Sequence, residues 1–443
     1  MHDAIHLVRT RRFLPLFVTQ FLGAFNDNLF RTAMVMLVVY GIYQDETKNA
    51  VFSAIAGGLF ILPFFVLSAL AGQLADAGDK AAIIRIVKTA EIFIMVFGAA
   101  GLLLHNIPLL LAALLAMGVH STFFGPIKYA ILPQHLNEDE VLGGTALVEA
   151  GTYIAIIGGT LLGGVLVLQR PDGSYHAELA AAGVLLVAIV GRVIGGLVPP
   201  ARPEPGAPPL KMDWHIVRAS ITLVNGTLHV RRLFLAILAI SFFWAMGAVL
   251  TAQFIPLVRD TLFADKTVAS LFLATFSVGV AIGSVIVNRL LENKVSARYS
   301  PVSALLMGAF VLDLFRRVRE WPTHSGGLHD IQTFLTVPNS WLVVVDLLGV
   351  AVAGGMFVVP LYAFLTTTVP KSETARTVAA NNIVNAGAMV AATGILAISI
   401  GYFEVSVADS LLIVAVASVI AAWLGWRLHR EGDIVTRAAV PRP

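Results

Sequence analysis

Five polar or charged side chains lie inside the first long apolar run of the sequence, within the string QFLGAFNDNLFR that begins at Gln20. At about 100° per residue, a helix would bring Gln20, Asp27 and Arg31 onto one stripe of its surface. A carboxylate there could bind a cation, and a guanidinium could bind an anion. Asn26 and Asn28 flank the acid with amide groups. The sequence therefore predicts a binding site for a charged head group on this helix.

An alternative interpretation of the same residues needs no ligand. Asp27 and Arg31 are four residues apart, the spacing at which two helical side chains can form an ion pair. Such a pair would only lock helices together. An acid, a base and three amides on one helix exceed what locking requires, so the sequence favours the binding site.

A second candidate group lies in the strings STFFGPIKYAILP and GGTALVEAGTYIAIIGGTLLGG, each of which carries one charge in an apolar run. Lys128 and Glu149 both fall near the same end of their antiparallel helices. A salt bridge between them is somewhat favoured over direct contact with a ligand, and both interpretations stay open. The same helical faces carry further side chains: Ser121, Phe124, Thr145 and Thr152.

Other polar residues within apolar runs are harder to assign. Glu91 and Arg192 have no obvious partner in the sequence. His120 is expected to be a hydrogen-bonded helix residue rather than a proton relay. Three asparagines form a polar turn for which ligand contact and bonding between helices are equally favoured: Asn381, Asn382 and Asn385.

The elements that must position these residues follow from the composition. Of 443 residues, 57% are hydrophobic and 13% are charged, and the mean hydropathy is +0.83. A soluble domain cannot hide so much apolar surface, whereas a bilayer is itself an apolar solvent. The absence of cysteine excludes disulfides and thiolate metal sites. The net charge of +3 gives no indication of a nucleic-acid partner, and we expect no metal or other cofactor.

The apolar runs predict an all-α membrane protein of twelve transmembrane helices, since a span needs about 20 apolar residues. We predict a six-helix half over residues 1–198, a cytoplasmic linker over 199–231 that opens with PPARPEPGAPPLK, and a second half over 232–443. This layout is typical of major facilitator transporters. The predicted spans are 13–40, 51–74, 82–104, 107–132, 143–168, 178–198, 232–258, 267–291, 299–315, 341–365, 376–402 and 408–428.

The distribution of Lys and Arg predicts that both termini are cytoplasmic. One loop disagrees, because Arg316, Arg317 and Arg319 would lie outside. Either the ninth span is wrongly bounded or this loop is an exception. Within the fifth span, four glycines are expected to allow close helix packing: Gly158, Gly159, Gly163 and Gly164.

The predicted turn between the second and third spans reads GQLADAGDK. Gly72, Asp76 and Lys80 resemble the motif that the major facilitator superfamily carries at this turn. The resemblance implies that the acid braces the turn against a neighbouring helix end and helps to gate the inner side. Two positions depart from the motif, since Ala77 replaces a basic residue and the later glycine is displaced to Gly78.

Three strings together resemble the lysophospholipid transporter family of the major facilitator superfamily. They are QFLGAFNDNLFR, FFGPIKYAILP and LVEAGTYIAIIGGTLLGG, and GQLADAGDK is a weaker match. The resemblance implies a transporter, not an enzyme, that moves lysophospholipids, chiefly lysophosphatidylethanolamine, from the outer to the inner leaflet of the bacterial inner membrane. A cytoplasmic acyltransferase with its acyl-activating enzyme then reacylates them. A family role in head-group handling would fall on Asp27.

A lysophosphatidylethanolamine head group is a zwitterion, so Asp27 could bind its ammonium and Arg31 or Lys128 its phosphate. In an alignment of the two halves Asp27 falls opposite Gly247, and one charged and one apolar wall suit an amphiphile better than a sugar. If Asp27 is paired with Arg31 it stays ionised, which predicts transport without proton coupling. Two alternatives remain: a proton-coupled exporter of amphipathic drugs that titrates Asp27 and Glu91, and a membrane anchor for an acyltransferase.

Overall fold

The structure, a computed structural model, describes residues 4–42, 46–169, 175–203, 206, 210–322 and 326–439. Each of the twelve predicted spans falls on a long helix, so the predicted all-α fold of twelve transmembrane helices is confirmed. We label these helices α1 to α12. The first six are Leu14–Met36, Glu46–Ala77, Lys80–Leu103, Ile107–Ala130, Glu138–Val165 and Glu178–Gly195. The second six are Arg231–Pro256, Lys266–Leu290, Ser300–Arg319, Ser340–Thr367, Thr374–Gly401 and Val407–Ala439.

Ten of the twelve helices are, within the described residues, long and apolar enough to cross a membrane. The other two are α1 and α9. Asp27 and Arg31 lie in α1, and three arginines lie in the last turn of α9. These charges lower the mean hydropathy of a helix without preventing it from forming, because charged residues make the backbone hydrogen bonds of a helix as apolar residues do.

Short elements connect the long helices. Leu168–Gln169 and Tyr175–His176 form a two-stranded antiparallel sheet in which Leu168 pairs with His176. A 3₁₀ helix covers Ala4–Arg9, and π-helical turns follow α1 and α7. The remaining short elements are the π turns Leu37–Ile42 and Leu257–Thr261 and the helices Leu132–His135, Ile216–Leu228 and Ile331–Thr336.

The chain divides into two compact units, one comprising Met1–Asn225 and Val369–Ile383, the other Gly226–Thr368 and Val384–Pro443. The first unit therefore holds α1 to α6 together with the beginning of α11. The division of the sequence into halves at residues 198 and 232 stays a prediction.

In the first unit, α1 packs along α5 and α6, α2 packs on α4, and α3 packs on α4 and α6. The seam between α1 and α5 depends on glycine. A Cβ at Gly159 would lie 2.2 Å from the carbonyl oxygen of Phe25, and one at Gly163 would lie 2.6 Å from that of Leu29. Gly158 faces the Phe25 ring at 3.0 Å, whereas Gly164 has nothing within 4 Å. The packing prediction is confirmed for three of the four glycines and wrong for Gly164.

In the second unit, α8 packs on α10, and α9 packs on α10 and α12. Helix α9 ends at Arg319 rather than at the predicted residue 315, so the three arginines belong to its last turn. Arg317 bonds to Asp313 at 2.6 Å and to Asp346 at 2.9 Å. The three arginines that disagreed with the predicted orientation thus belong to a span that was wrongly bounded. One of them, Arg317, pairs with acids, which explains the disagreement in part.

The proline-rich opening of the predicted linker favours an extended chain, but further along the linker Ile216–Leu228 forms a helix. This segment lacks proline and packs Ala219 beside Ala69 of α2. Before the helix, Asp213 accepts two hydrogen bonds from Arg218, at 2.7 and 2.8 Å. These bonds lower the pKa of Asp213 to about 2. The Asp213 backbone amide also donates to Gln73 at 2.8 Å, which attaches the linker to the end of α2.

Candidate functional site

Asp27 is half-buried on α1, and its side-chain partner comes from another helix. The hydroxyl of Ser121 on α4 donates to Asp27 Oδ2 at 2.7 Å. The second oxygen, Oδ1, is buried and has no hydrogen-bond partner among the residues that the structure describes. Buried polar atoms in proteins are normally hydrogen-bonded, so an unpaired carboxylate oxygen is notable. Asp27 therefore has one oxygen held in place and one buried oxygen whose hydrogen-bonding capacity is unused within the described residues.

The predicted alternative, an ion pair between Asp27 and Arg31, is wrong: the two described side chains form no salt bridge. Arg31 is exposed. The four-residue spacing allows such a pair, but Asp27 is bonded to Ser121 instead. The argument that Arg31 keeps Asp27 ionised loses its basis as well.

Two of the predicted site residues connect α1 to other helices. Gln20 is buried and accepts a hydrogen bond from Thr152 of α5 at 3.0 Å. Asn26 is fully buried and donates to Glu91 of α3 at 2.8 Å. A third, Asn28, donates at 2.8 Å to the backbone of its own helix. These amides thus serve structural contacts. Asn26 Oδ1, like Asp27 Oδ1, is buried without a hydrogen-bond partner among the described residues, but only the oxygen of Asp27 belongs to a carboxylate.

Glu91 was predicted to lack a partner, which is wrong. It forms a 2.6 Å ion pair with Lys88, three residues earlier on α3, and both side chains are 0% exposed. His120 Nε2 lies 3.3 Å from the same carboxylate. Its other ring nitrogen is 3.5 Å from the Ser121 hydroxyl that holds Asp27. A network of neighbouring polar side chains therefore extends from Lys88 to Asp27, in which His120 Nε2 approaches Glu91 without a hydrogen bond within the described residues.

Sequence reasoning missed Lys88 altogether, although the signal was present in its spacing of three from Glu91. The ammonium also lies 5.5 Å from the centroid of the Phe124 ring. Space for it comes partly from Gly23, where a Cβ would approach Lys88 Nζ to 3.0 Å. Arg192, likewise predicted to be alone, donates to Thr89 at 2.7 Å.

The predicted salt bridge between Lys128 and Glu149 is also wrong. Glu149 is buried and accepts a hydrogen bond from the Tyr129 hydroxyl. The Lys128 ammonium instead lies 4.8 Å from the centroid of the Tyr129 ring, and no described carboxylate lies within 4.0 Å of it. An ammonium has three donor hydrogens. Lys128 therefore keeps donors for an anionic ligand, whereas Glu149 is already engaged.

Helix α4 sets the distance between these two charges. Ser121, Gly125 and Lys128 fall within about 60° of one another on its surface, and we call them the α4 stripe. At 1.5 Å per residue, Ser121 and Lys128 are about 10 Å apart along the axis. Asp27, bonded to Ser121, thus lies toward one end of the stripe and Lys128 at the other. This arrangement of one anion and one cation is the candidate binding site.

The turn between α2 and α3 contacts the beginning of α11. Asp76 Oδ1 accepts from the Ala375 amide at 3.0 Å, and Oδ2 accepts from the Arg376 amide and guanidinium, each at 3.0 Å. An acid that binds the free amides of a helix N-terminus is stabilised by both hydrogen bonds and the helix dipole. Arg376 supplies a positive charge opposite the acid of the motif. Lys80 is buried and acts electrostatically on Asp76.

Gly72 lets the two helices approach at this contact. A Cβ at Gly72 would lie 2.6 Å from the Cβ of Ala379 and 3.0 Å from the carbonyl oxygen of Ala375. The three predicted gating residues, Gly72, Asp76 and Lys80, thus lie at or beside one helix contact. Their role in gating stays a proposal.

We predict that Asp76→Asn loosens this contact, because it removes a charge-assisted pairing with Arg376. Thr377 is buried on α11 and the chain contains no other thiol, so a Thr377→Cys variant reports exposure. Loss of about 1.4 kcal/mol would raise the labelling rate by a membrane-impermeant maleimide about tenfold. Asp79→Asn is the matched control, since Asp79 bonds to Ala81 and Ala201 instead. Equal labelling rates in the two backgrounds would contradict the prediction.

Twelve long helices with buried charges in the interior of the first unit define the class of this chain as a multi-pass membrane protein of transporter type. The chain belongs to the Major Facilitator Superfamily, whose family model matches residues 16–315. The fold agrees with the crystal structure of the human organic anion transporter MFSD10 (TETRAN), with a TM-score of 0.71, 12% identity, and 94% of this chain and 99% of that chain covered. The E. coli fucose:proton symporter gives a TM-score of 0.66 at 14% identity, covering 94% and 98%.

Curated relatives confirm the closer resemblance. The lysophospholipid transporter LplT of Serratia proteamaculans is 26% identical over 426 residues, which is 94% of this chain and 96% of that protein. The protein of the same name from Escherichia coli is 25% identical over 421 residues, or 93% and 95%. The similarity extends through nearly the whole chain rather than through the first half alone.

Proposed function

We propose that this protein moves lysophospholipids, chiefly lysophosphatidylethanolamine, from the outer to the inner leaflet of the bacterial inner membrane. One observation carries the proposal. Among the described residues, Asp27 has an unpaired carboxylate oxygen, Lys128 has no carboxylate within 4.0 Å of its ammonium, and α4 relates the two. The relatives named as lysophospholipid transporters support the same substrate class.

The chemistry of the head group matches this pair. Its ammonium binds Asp27 Oδ1, and its phosphate binds Lys128, through charge-assisted hydrogen bonds. Arg31 is the alternative phosphate partner of the sequence analysis; its side chain is exposed and forms no salt bridge with Asp27. Since the head group has no net charge, its transfer into the protein costs less than that of an ion. The single acyl chain stays in apolar surroundings throughout.

In the proposed function, the transporter supplies lysolipid to enzymes of the cytoplasm. Both termini lie in the cytoplasm, where an acyltransferase with its acyl-activating enzyme consumes the lysolipid that arrives in the inner leaflet. The transporter itself performs no chemical reaction and needs no cofactor. Its partners are the lysolipid and the membrane lipids around it.

We further propose that transport runs without proton coupling, since reacylation removes the product and so draws lysolipid inward. The ion pair that first suggested this is absent from the structure. A proton-coupled drug exporter requires an Asp27 that no ion pair with Arg31 keeps ionised. The absence of this ion pair is the specific reason to keep the exporter as the alternative. Glu91, the second titrating group of the alternative, is already paired with Lys88.

The deciding experiment is inward flipping of fluorescent lysophosphatidylethanolamine in spheroplasts that express the wild type or an empty vector. We expect the wild type to transfer label to a pool that albumin cannot extract, at a rate unchanged by a protonophore. Absence of inward transfer together with increased resistance to amphipathic drugs would favour the exporter. Inward transfer that stops with the protonophore would keep the substrate and overturn uncoupled transport.

A further inference from the structure

The polar turn of α11 separates into residues with different roles. Asn385 Oδ1 accepts a hydrogen bond from Ser241 at 2.7 Å, so this amide connects two helices. Asn381 is 0% exposed, yet neither of its side-chain polar atoms has a partner among the described residues. The side chain of Asn382 likewise makes no hydrogen bond within the described part of the chain. Bonding between helices thus explains only Asn385.

Asn382 lies against the α4 stripe. Its Nδ2 is 3.5 Å from the position that a Cβ of Gly125 would occupy. Asn382 and Gly125 belong to the same compact unit. Along α4, Gly125 is about 6 Å from Ser121 and about 4.5 Å from Lys128 at 1.5 Å per residue. Along α4, the Asn382 amide therefore lies between Ser121, which holds Asp27, and Lys128.

We propose that Asn382 is a specificity residue that donates hydrogen bonds to the phosphate of the lysolipid, next to Lys128, while Asp27 binds the ammonium. This inference rests on the proposed function and adds a residue to its site. An ethanolamine bridge keeps ammonium and phosphate a few ångströms apart, which agrees with the spacing of about 6 Å between Ser121 and Gly125 on α4. The site so formed takes a phosphodiester that carries a nearby cation.

A neutral donor is suited to this position. The phosphodiester carries a single charge, which Lys128 balances, so a second cation would leave an uncompensated buried charge. An amide adds two N–H donors without adding charge. A Cβ at residue 125 would be in van der Waals contact with Nδ2 at 3.5 Å, so glycine leaves this side of the amide uncovered by α4.

The test compares two probes that differ in the phosphate. The full chain in nanodiscs is titrated with lysophosphatidylethanolamine and with an alkylamine of the same chain length. We expect Asn382→Asp, which replaces donors by a negative charge, to weaken lysolipid binding at least about tenfold. Alkylamine binding should not weaken, because a carboxylate at residue 382 can only attract the ammonium of this probe. Asn382→Ser, which keeps one donor, should give an intermediate loss.

Asn385→Ala is the matched control in the same turn, and each variant must match the wild type in thermal unfolding and monodispersity. Equal losses for both probes would show a merely structural role and overturn the inference. Unchanged lysolipid binding in Asn382→Asp would overturn it too, while leaving the proposed function intact. A wild type that binds lysolipid no better than alkylamine would overturn both. If Asn382→Asp fails to fold, Asn382→Ser and Asn382→Ala carry the same comparison.

Discussion

Asp27→Asn is expected to lower the rate of inward lysophosphatidylethanolamine flipping about 100-fold. The substitution keeps the size of the side chain and an acceptor for Ser121, but it removes the negative charge. A charge-assisted hydrogen bond in a water-poor site contributes up to about 3 kcal/mol, which corresponds to a factor of about 100. The measurement is the initial rate of albumin-resistant uptake in spheroplasts at matched expression.

Asn28→Ala is the control for Asp27→Asn, since the adjacent Asn28 bonds only to the backbone of its own helix among described residues. It should leave the rate within about twofold of the wild type. In Asp27→Asn, the flipping rate of a lysolipid without an ammonium, such as lysophosphatidylglycerol, should fall less than that of the ethanolamine lipid. Undiminished flipping of the ethanolamine lipid in Asp27→Asn would retain the proposed function and exclude Asp27 from the site.

Lys88→Met is expected to lower the free energy of unfolding by about 3–5 kcal/mol, because it leaves Glu91 as a buried charge without its main counter-ion. Both side chains are 0% exposed and 2.6 Å apart. The double variant Lys88→Met with Glu91→Leu should recover most of that loss, since an apolar pair of similar volume has no desolvation cost. Unfolding in mixed detergent micelles, analysed as a double-mutant cycle, measures both effects.

Arg85→Met provides the control on the same helix, because Arg85 is half-buried and its guanidinium is not part of the network around Glu91. Its effect should stay within about 0.5 kcal/mol. A double variant that is no more stable than Lys88→Met would mean that the network, through Asn26 and His120, depends on the Glu91 carboxylate itself. In that case the ion pair would not be replaceable by apolar packing.

The sequence by itself determined where the helices are. Twelve apolar runs predicted twelve long helices, because the length and composition of a run decide whether it can cross a bilayer, and both are local properties. Close packing of a neighbouring helix on α5 was likewise predicted from Gly158, Gly159 and Gly163, but the structure alone identified that helix as α1. The ends of several helices were misplaced: α9 ends at Arg319 rather than at 315, and α12 ends at Ala439 rather than at 428. Charged residues in the last turns of a helix resemble a loop when judged by hydropathy. The helix within the linker was missed because its 13 residues are too few for a membrane span, which was the pattern searched for.

The sequence also indicated which residues are candidates for the site, since a charge inside an apolar run is costly wherever its partner lies. Asp27 and Lys128 were found in this way, and the structure leaves both with unused hydrogen-bonding capacity. What the sequence could not supply was the identity of their neighbours. Spacing along one helix suggested Arg31 as the partner of Asp27, and similar depth in two helices suggested Glu149 for Lys128.

The tertiary structure decided those partners. Asp27 bonds to Ser121, Glu149 accepts from Tyr129, and Glu91 pairs with Lys88 and approaches His120. The physical reason is that a hydrogen bond tolerates only a few tenths of an ångström in distance, whereas the rotation and depth of a helix depend on how all its neighbours pack. Residues on different helices, such as Asn382 and Gly125, meet only after that packing is complete.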